Sequence, residues 1–284
     1  MLAVVQMRST GVVAWNLSRA SALVAKAAKE MKAKFVCLPE GCDYLGSEGG
    51  GQPHVLDEGS QLIRAYAEMA RTNQVWLSLG GLHEKFNEQG TKLVQLNTHV
   101  LLDDRGEVRA QYRKVHLFDA LVDGGWCESE TTGRGDKLVL VRGTPVGTVG
   151  LSTCYDVRFP AMFQAYAQAG ADVVLIPSAF MVTTGRAHWE VLMRARAIET
   201  QCYVAAAAQC GAHNPKRTSY GHSLIIDPFG KVLVDLGDTE HEGVGVAQVD
   251  FDYLRRVRAS MPMVHHQAAS AHVVGVRVGN MSVL

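Results

Sequence analysis

A glutamate, a lysine and a cysteine stand at three points where an apolar run gives way to a polar turn. They are Glu40 in FVCLPE, Lys114 in AQYRK and Cys154 in VGLSTCYDVRFP. Each ends a segment that reads as a β-strand, which carries its side chain to a sheet edge facing a cleft. A thiol, a carboxylate and an ammonium together suffice for nucleophilic attack on a carbon–nitrogen bond. A free thiol with a pKa of ~8.5 is only a few per cent thiolate at neutral pH, so it needs a base and a cation beside it. Glu40 can take the proton of Cys154, and Lys114 can favour the thiolate. Each residue alone has a plainer reading: a small buried cysteine, a turn glutamate after Pro39, a lysine guarding a strand edge. Their joint occurrence argues for chemistry.

Alternating strands and helices must position them. Residues 2–7 read as a strand, followed by a helix capped by Asn16 with Leu17, Ala20, Val24, Ala27 and Met31 at three-to-four spacing. The strand KFVCLP delivers Glu40. A helix is expected near 60–72, then the strand VWLSLGGL, then a hairpin from LVQLNTHVLL through DDRG to EVRAQYRK, which delivers Lys114. After an irregular stretch over 116–136, the hairpin KLVLVRGTPVGTVGLSTC delivers Cys154. Pro160 opens a helix that Gly170 stops. The strand ADVVLIPSAF, a helix over 187–201, the strand CYVAAAAQC, the hairpin SLIIDPFGKVLVDL and a last strand VGVAQVD complete the pattern. Both halves run strand–helix–strand–helix–strand and then meander. Two mixed sheets with helices outside would bury their inner faces against each other, giving an α/β fold in the form of a four-layer α-β-β-α sandwich. No linker interrupts the chain, so one domain is expected over 1–284, with 270–284 a C-terminal tail.

Composition narrows the function classes. A formal net charge of zero gives no electrostatic footprint for a nucleic acid or a membrane surface. No run approaches the ~18 apolar residues that a membrane span needs. The start MLAVVQMRST turns polar too soon for a signal peptide, which leads to the expectation of a cytoplasmic chain, a mitochondrial form staying compatible. Six cysteines form no C-x-x-C pair, which suits reduced thiols, and no His or Cys spacing matches a common zinc site. Neither a metal nor a cofactor is expected. Cys37, Cys202 and Cys210 lie in apolar strands and read as buried core.

The contexts CLPEGCDYLG, YRKVHLFD and GLSTCYDVRFP resemble the Glu–Lys–Cys triad of the nitrilase superfamily of carbon–nitrogen hydrolases, in the same chain order. That resemblance implies the same four-layer sandwich and a homodimer or larger homo-oligomer paired through helices flanking the nucleophile turn, where the helix at 160–169 carries Met162, Phe163 and Tyr166 toward one side. It also implies a second glutamate after the lysine strand, matched by Glu128 in WCESET, which would orient Lys114 and the substrate nitrogen. Lys114 and the backbone N–H of Tyr155 would stabilise the oxyanion of a tetrahedral intermediate. Asp156 reads as a buttress of the turn through an ion pair. Arg158 is open between that pairing and binding a substrate carboxylate, for which its planar fork is suited.

The runs GRAHWEVLMRARAIETQCYVAAAAQCG and YGHSLIIDPFG resemble the branch that acts on deaminated glutathione, releasing 2-oxoglutarate and cysteinylglycine. In that reading the substrate is a small-molecule amide, and Arg186 and His188 line the mouth of the cleft. The alternatives are an ω-amidase acting on 2-oxoglutaramate or a related monoamide, and a silent binding protein that keeps the fold. An intact triad argues against the last. The loop FDALVDGGWCESETTGRGDK, with Trp126 and Cys127, departs from the pattern beside Glu128.

Overall fold

The structure, a computed structural model, describes residues 1–46, 52–57, 59–86, 94–122, 126–238 and 241–270. The first half contains β1 (Leu2–Gln6), α1 (Val13–Lys29), β2 (Phe35–Leu38), α2 (Gln61–Asn73), β3 (Trp76–Phe86), β4 (Val94–Leu102) and β5 (Val108–Arg113). Three short strands follow where an irregular stretch was expected: β6 (Asp119–Ala120), β7 (Trp126–Cys127) and β8 (Thr132–Gly133). Then come β9 (Val139–Thr144), β10 (Gly147–Leu151), α3 (Pro160–Gln168), β11 (Val173–Leu175), α4 (Val182–Thr200) and β12 (Tyr203–Ala206). The chain continues through β13 (Cys210–Asn214), β14 (Arg217–Tyr220), β15 (Leu224–Ile226), β16 (Val232–Asp235), β17 (Gly243–Ala247), α5 (Phe251–Ser260) and α6 (Met263–Ser270).

One sheet has the order β17-β1-β2-β3-β4-β5, with β8 also paired to β4; the other has the order β16-β15-β12-β11-β10-β9. Both are mixed. The strands β1, β2 and β3 run parallel, as do β10, β11 and β12, while the hairpins flanking them are antiparallel. Alternation along the strands makes the layers. Leu2, Val4, Phe35 and Cys37 face inward to a core shared with Val149, Leu151, Val173 and Val204 of the second sheet. Ala3, Val5, Val36 and Leu38 face outward onto Leu23, Val24, Ile63 and Tyr66 of α1 and α2. Strands buried on both faces have to read as unbroken apolar runs, as FVCL does. Phe163, Tyr166, Trp189 and Met193 close the outer side of the second sheet from α3 and α4. The sandwich is the one expected.

Several details differ from the sequence reading. Asn16 does not cap α1 but lies inside it, buried, with its amide donating to the backbone oxygens of Thr10 and Asp43. A polar residue on a buried helix face is stabilised there because it satisfies backbone groups of two loops at once. The β13–β14 hairpin and α5 were not anticipated, and α4 begins five residues before the expected 187. Met162, Phe163 and Tyr166 on α3 are buried in the chain's own core, so they offer no surface to a second copy. Of the expected C-terminal tail, residues 271–284 lie outside the described residues.

Two contacts set the distance between the sheets near their strand ends. His99 on β4 is fully buried and spans the layers, with Nε2 at 2.7 Å from Ser78 Oγ and Nδ1 at 2.9 Å from the Ser152 carbonyl oxygen. At Gly80 a Cβ would collide with the ring of Pro177, so only glycine lets the two segments approach so closely. Among the described residues, no helix is long and apolar enough to cross a membrane.

Candidate active site

Cys154 follows β10 at the start of a short 3-10 helix, Cys154–Arg158. Its backbone takes the left-handed conformation, φ +49°, after an extended Thr153, and its N–H donates to the Pro177 carbonyl at 2.9 Å. The sharp change of direction turns the thiol out of the strand toward the first sheet. Asp156, fully buried, holds the turn: its carboxylate accepts from Thr153 N–H at 2.9 Å, Tyr112 O–H at 2.7 Å and His116 N–H at 3.0 Å. His116 Nδ1 lies 2.8 Å from the same carboxylate, and its ring stacks on Phe159. Asp156 is therefore the buttress that was expected, with Thr153, Tyr112 and His116 as its partners in place of Arg158.

Glu40 and Lys114 come from the other sheet. Lys114 directly follows β5, is almost wholly buried, and places Nζ 3.1 Å from Glu40 Oε1 and 2.9 Å from Glu128 Oε2. Glu40 Oε2 accepts from the Ala179 N–H at 3.0 Å, and its carboxylate is hydrogen-bonded by the Cys154 thiol. Glu128 begins a single 3-10 turn, Glu128–Glu130, and its Oε2 also accepts from the Phe118 N–H at 2.8 Å. Four side chains separated by up to 114 residues in sequence thus meet in one nook: Glu40, Lys114, Glu128 and Cys154.

Electrostatics decide the protonation states. Burial alone would raise the Glu40 pKa, but the Lys114 charge and hydrogen bonds from Cys154, Asn97 and Lys114 outweigh it, and the pKa is lowered. Burial opposes the charge on Lys114, yet Glu40, Glu128 and Cys154 hold its pKa well above the usual lysine value. The Cys154 thiol is pushed up by burial and by the neighbouring Glu40 charge, with Lys114 opposing. The resting nook accordingly holds a carboxylate, an ammonium and a neutral thiol.

Asn97 is a site residue that sequence reasoning missed. It projects from β4 and donates from Nδ2 to Glu40 Oε1 at 2.9 Å and to Glu128 Oε1 at 3.3 Å, so one amide bridges both carboxylates. The signal that could have found it was an asparagine at the centre of the apolar strand LVQLNTHVLL. Gln209 is a second omission: its Nε2 donates to the Glu40 carbonyl at 3.0 Å and to Ser9 Oγ at 2.7 Å, fixing the backbone beneath the glutamate.

The remaining expected residues fall around the mouth. Tyr155 meets Phe118 edge to face, centroids 5.1 Å apart. Arg158 lies over the rings of Tyr155 and Phe180, at 5.6 and 5.4 Å, with Nη1 3.2 Å from His188 Nδ1. The guanidinium is thus held near two aromatic rings, and Asp156 is not among its partners. Arg186 is exposed on α4, and among the described residues no hydrogen bond or ion pair joins it to Arg158, His188 or the nook. In the departing loop, Cys127 is exposed.

Comparison with known proteins identifies the family. Residues 1–259 match the carbon-nitrogen hydrolase family. Human deaminated glutathione amidase is 44% identical over 270 residues, 94% of this chain and 82% of the human protein. The Drosophila melanogaster nitrilase and fragile histidine triad fusion protein NitFhit is 45% identical over 269 residues, 94% of this chain and 57% of the fusion protein. The crystal structure of Caenorhabditis elegans NitFhit superposes with a TM-score of 0.82 at 40% identity, covering 93% of this chain and 64% of that one. The chain spans 57% and 64% of the two fusion proteins, less than two thirds of either. With the fold, the nook and these matches in agreement, the chain belongs to the carbon–nitrogen hydrolase family.

Proposed function

We propose that the chain is a thiol amidase that hydrolyses the amide of deaminated glutathione to 2-oxoglutarate and cysteinylglycine through a thioester on Cys154. The observation that carries the reaction is the neutral thiol hydrogen-bonded to a carboxylate that is kept ionised by a buried ammonium. As Sγ attacks the carbonyl carbon, the thiol proton passes to Glu40. The carbonyl becomes an oxyanion, met by Lys114 Nζ and the N–H of Tyr155; one such donor contributes ~3 kcal/mol. Glu40 then gives its proton to the nitrogen, the carbon–nitrogen bond breaks and the amine leaves. A water surrenders a proton to Glu40 and attacks the thioester, and collapse of the second intermediate breaks the carbon–sulfur bond. The thiolate recovers its proton from Glu40. Glu128 and Asn97 move no proton; they hold Lys114 and Glu40 in register.

Two further features support this substrate. A relative 44% identical to this chain is named deaminated glutathione amidase. Arg158, framed by Tyr155 and Phe180 and touching His188, suits the 2-oxo acid end of the acyl half. The same reading takes the protein to be a cytoplasmic homodimer or larger homo-oligomer. Purified protein assayed on deaminated glutathione and 2-oxoglutaramate side by side tests it. The expected result is a higher kcat/KM for deaminated glutathione, whose larger leaving group adds remote binding energy. Equal or better turnover of 2-oxoglutaramate would transfer the protein to the ω-amidase reading.

A further inference from the structure

A second polar cluster adjoins the nook and takes no part in the hydrolytic steps. Three residues after Glu40, Asp43 is fully buried, and its Oδ2 accepts from the His83 N–H at 2.9 Å. Both Asp43 oxygens lie 3.1 Å from His83 Nδ1. Tyr44 stacks on the same imidazole, centroids 4.0 Å apart. His83 is thus locked at its backbone, its ring edge and its ring face. It also stands directly opposite Asn97 in the β3–β4 ladder. Opposed residues of an antiparallel pair share a face of the sheet, and Asn97 uses that face to reach Glu40 and Glu128. The imidazole therefore lies on the catalytic side of the sheet, and its side chain stays 23% exposed.

Burial opposes protonation of His83, but Asp43 and Glu40 favour it and prevail over the opposing Arg217 charge, so its pKa is raised. His54 Nε2 lies 4.0 Å from Asp43 Oδ2, and there burial outweighs the Asp43 charge, so its pKa is lowered. Arg217 arrives from the β13–β14 hairpin. Its Nη2 lies 3.5 Å from the carbonyl oxygen of Ala179, the residue whose N–H holds Glu40. Its Nε is buried with no hydrogen-bond partner among the described residues. A buried donor without an acceptor is unfavourable, and an anion oxygen seated there would satisfy it.

Glu40 is the group that must protonate the leaving nitrogen, and His83 is within its electrostatic reach. Arg217 and Glu40 meet the same residue, Ala179, at its carbonyl oxygen and its N–H, so a substituent on that nitrogen running past Glu40 would meet Arg217 and His83. Arg158 has a separate set of neighbours, Tyr155, Phe180 and His188. We infer that His83 and Arg217 form the far end of the leaving-group subsite and together receive the terminal carboxylate of the departing amine. The amine class this fits is a short peptide with a free C-terminus. The inference deepens the proposed function and takes the identity of the leaving group from it.

Calorimetry on the Cys154→Ala protein, which binds without turning over, tests the subsite with cysteinylglycine and its C-terminal carboxamide as probes. The acid is expected to bind at least ~10-fold more tightly than the amide, the worth of a charge-assisted hydrogen bond. Adding Arg217→Gln or His83→Gln should shrink that preference to within about twofold. Circular dichroism checks that each variant folds, and His83→Asn replaces His83→Gln if the latter does not. Equal affinity for acid and amide in Cys154→Ala, or a preference that survives both substitutions, overturns the subsite. Because the ratio is read without turnover, an unsubstituted enzyme that fails to hydrolyse deaminated glutathione would sink the substrate reading separately.

Discussion

At the scale of single residues, the nook divides its work between a proton carrier and a fixed charge. Glu40→Gln keeps the shape but cannot accept the thiol proton, and Lys114→Met keeps the stem but removes the ammonium. Each should lower kcat/KM by at least ~100-fold, the usual worth of a general base or an oxyanion donor. Cys154→Ala and Cys154→Ser should abolish turnover while the far-ultraviolet dichroism stays unchanged. Near-normal rates for Glu40→Gln or Lys114→Met at any pH between about 6 and 9 would falsify the triad assignment. These three residues were legible because each is a lone charged or nucleophilic group at the end of an apolar strand. Asn97 was not, because an uncharged amide in a strand carries no chemical label; only the fold shows that it bridges two carboxylates. Glu128 was legible only through resemblance, its own surroundings being a polar loop.

At the scale of elements, local signals worked where one residue dictates the backbone. Pro160 and Gly170 bound α3 as read, Pro at the first helical position and Gly170 at φ +84° just beyond the end. They failed where tertiary contacts override propensity. Asn16 looks like a cap by type but serves as an internal tie, and the β13–β14 hairpin has too little apolar alternation to announce itself. The pair Gly80–Gly81 creates the register shift in the β3–β4 ladder between Leu79 and Leu82. Gly81 has φ +66°, and a Cβ there would lie 2.6 Å from Asn97 Oδ1 and 3.0 Å from Glu40 Cγ. Gly81→Ala should therefore cost stability, on the order of 1–2 kcal/mol from backbone strain, and lower kcat by displacing Asn97 and Glu40. Urea unfolding and steady-state kinetics on the same preparation would show both losses, and a variant with unchanged kcat would contradict the packing argument.

At the scale of the whole molecule, two buried histidines make stability depend on acid. Burial lowers His99 and His213 from 6.5 to about 4, although hydrogen bonds to the carbonyls of Ser152 and Ser9 oppose the shift. The unfolded chain binds these protons from about pH 6.5 downward, and the folded chain only near pH 4. Stability is thus full above about pH 6.5 and falls as the pH drops through this window, by roughly 3 kcal/mol per histidine. Urea midpoints at about pH 7 and pH 5 should differ in that direction, and His99→Gln should flatten the difference. Assembly is the second whole-molecule expectation. Since α3 keeps its apolar face inside, a second copy has to use other surface, and α4 exposes Val191 and Ile198. Light scattering should give at least twice the 30.8 kDa of one chain, and Val191→Asp should shift it toward the monomer. A monomer in the unsubstituted protein at micromolar concentration would reject the homo-oligomer.

The left-handed backbone at Cys154 sets the interests of the fold against those of the reaction. A side chain at φ +49° is strained by about 1 kcal/mol or more relative to glycine, which adopts this conformation freely. The residue that would suit the fold best at this position is the one that cannot do the chemistry. Cys154→Gly should accordingly be more stable than Cys154→Ala, the reverse of the order seen at ordinary helix or strand positions, where glycine is worse by roughly 0.5–1 kcal/mol. Thermal unfolding of the two inactive proteins reads the sign directly. If glycine is the more stable, relaxed selection on the reaction would let this turn drift toward a sturdier, silent scaffold.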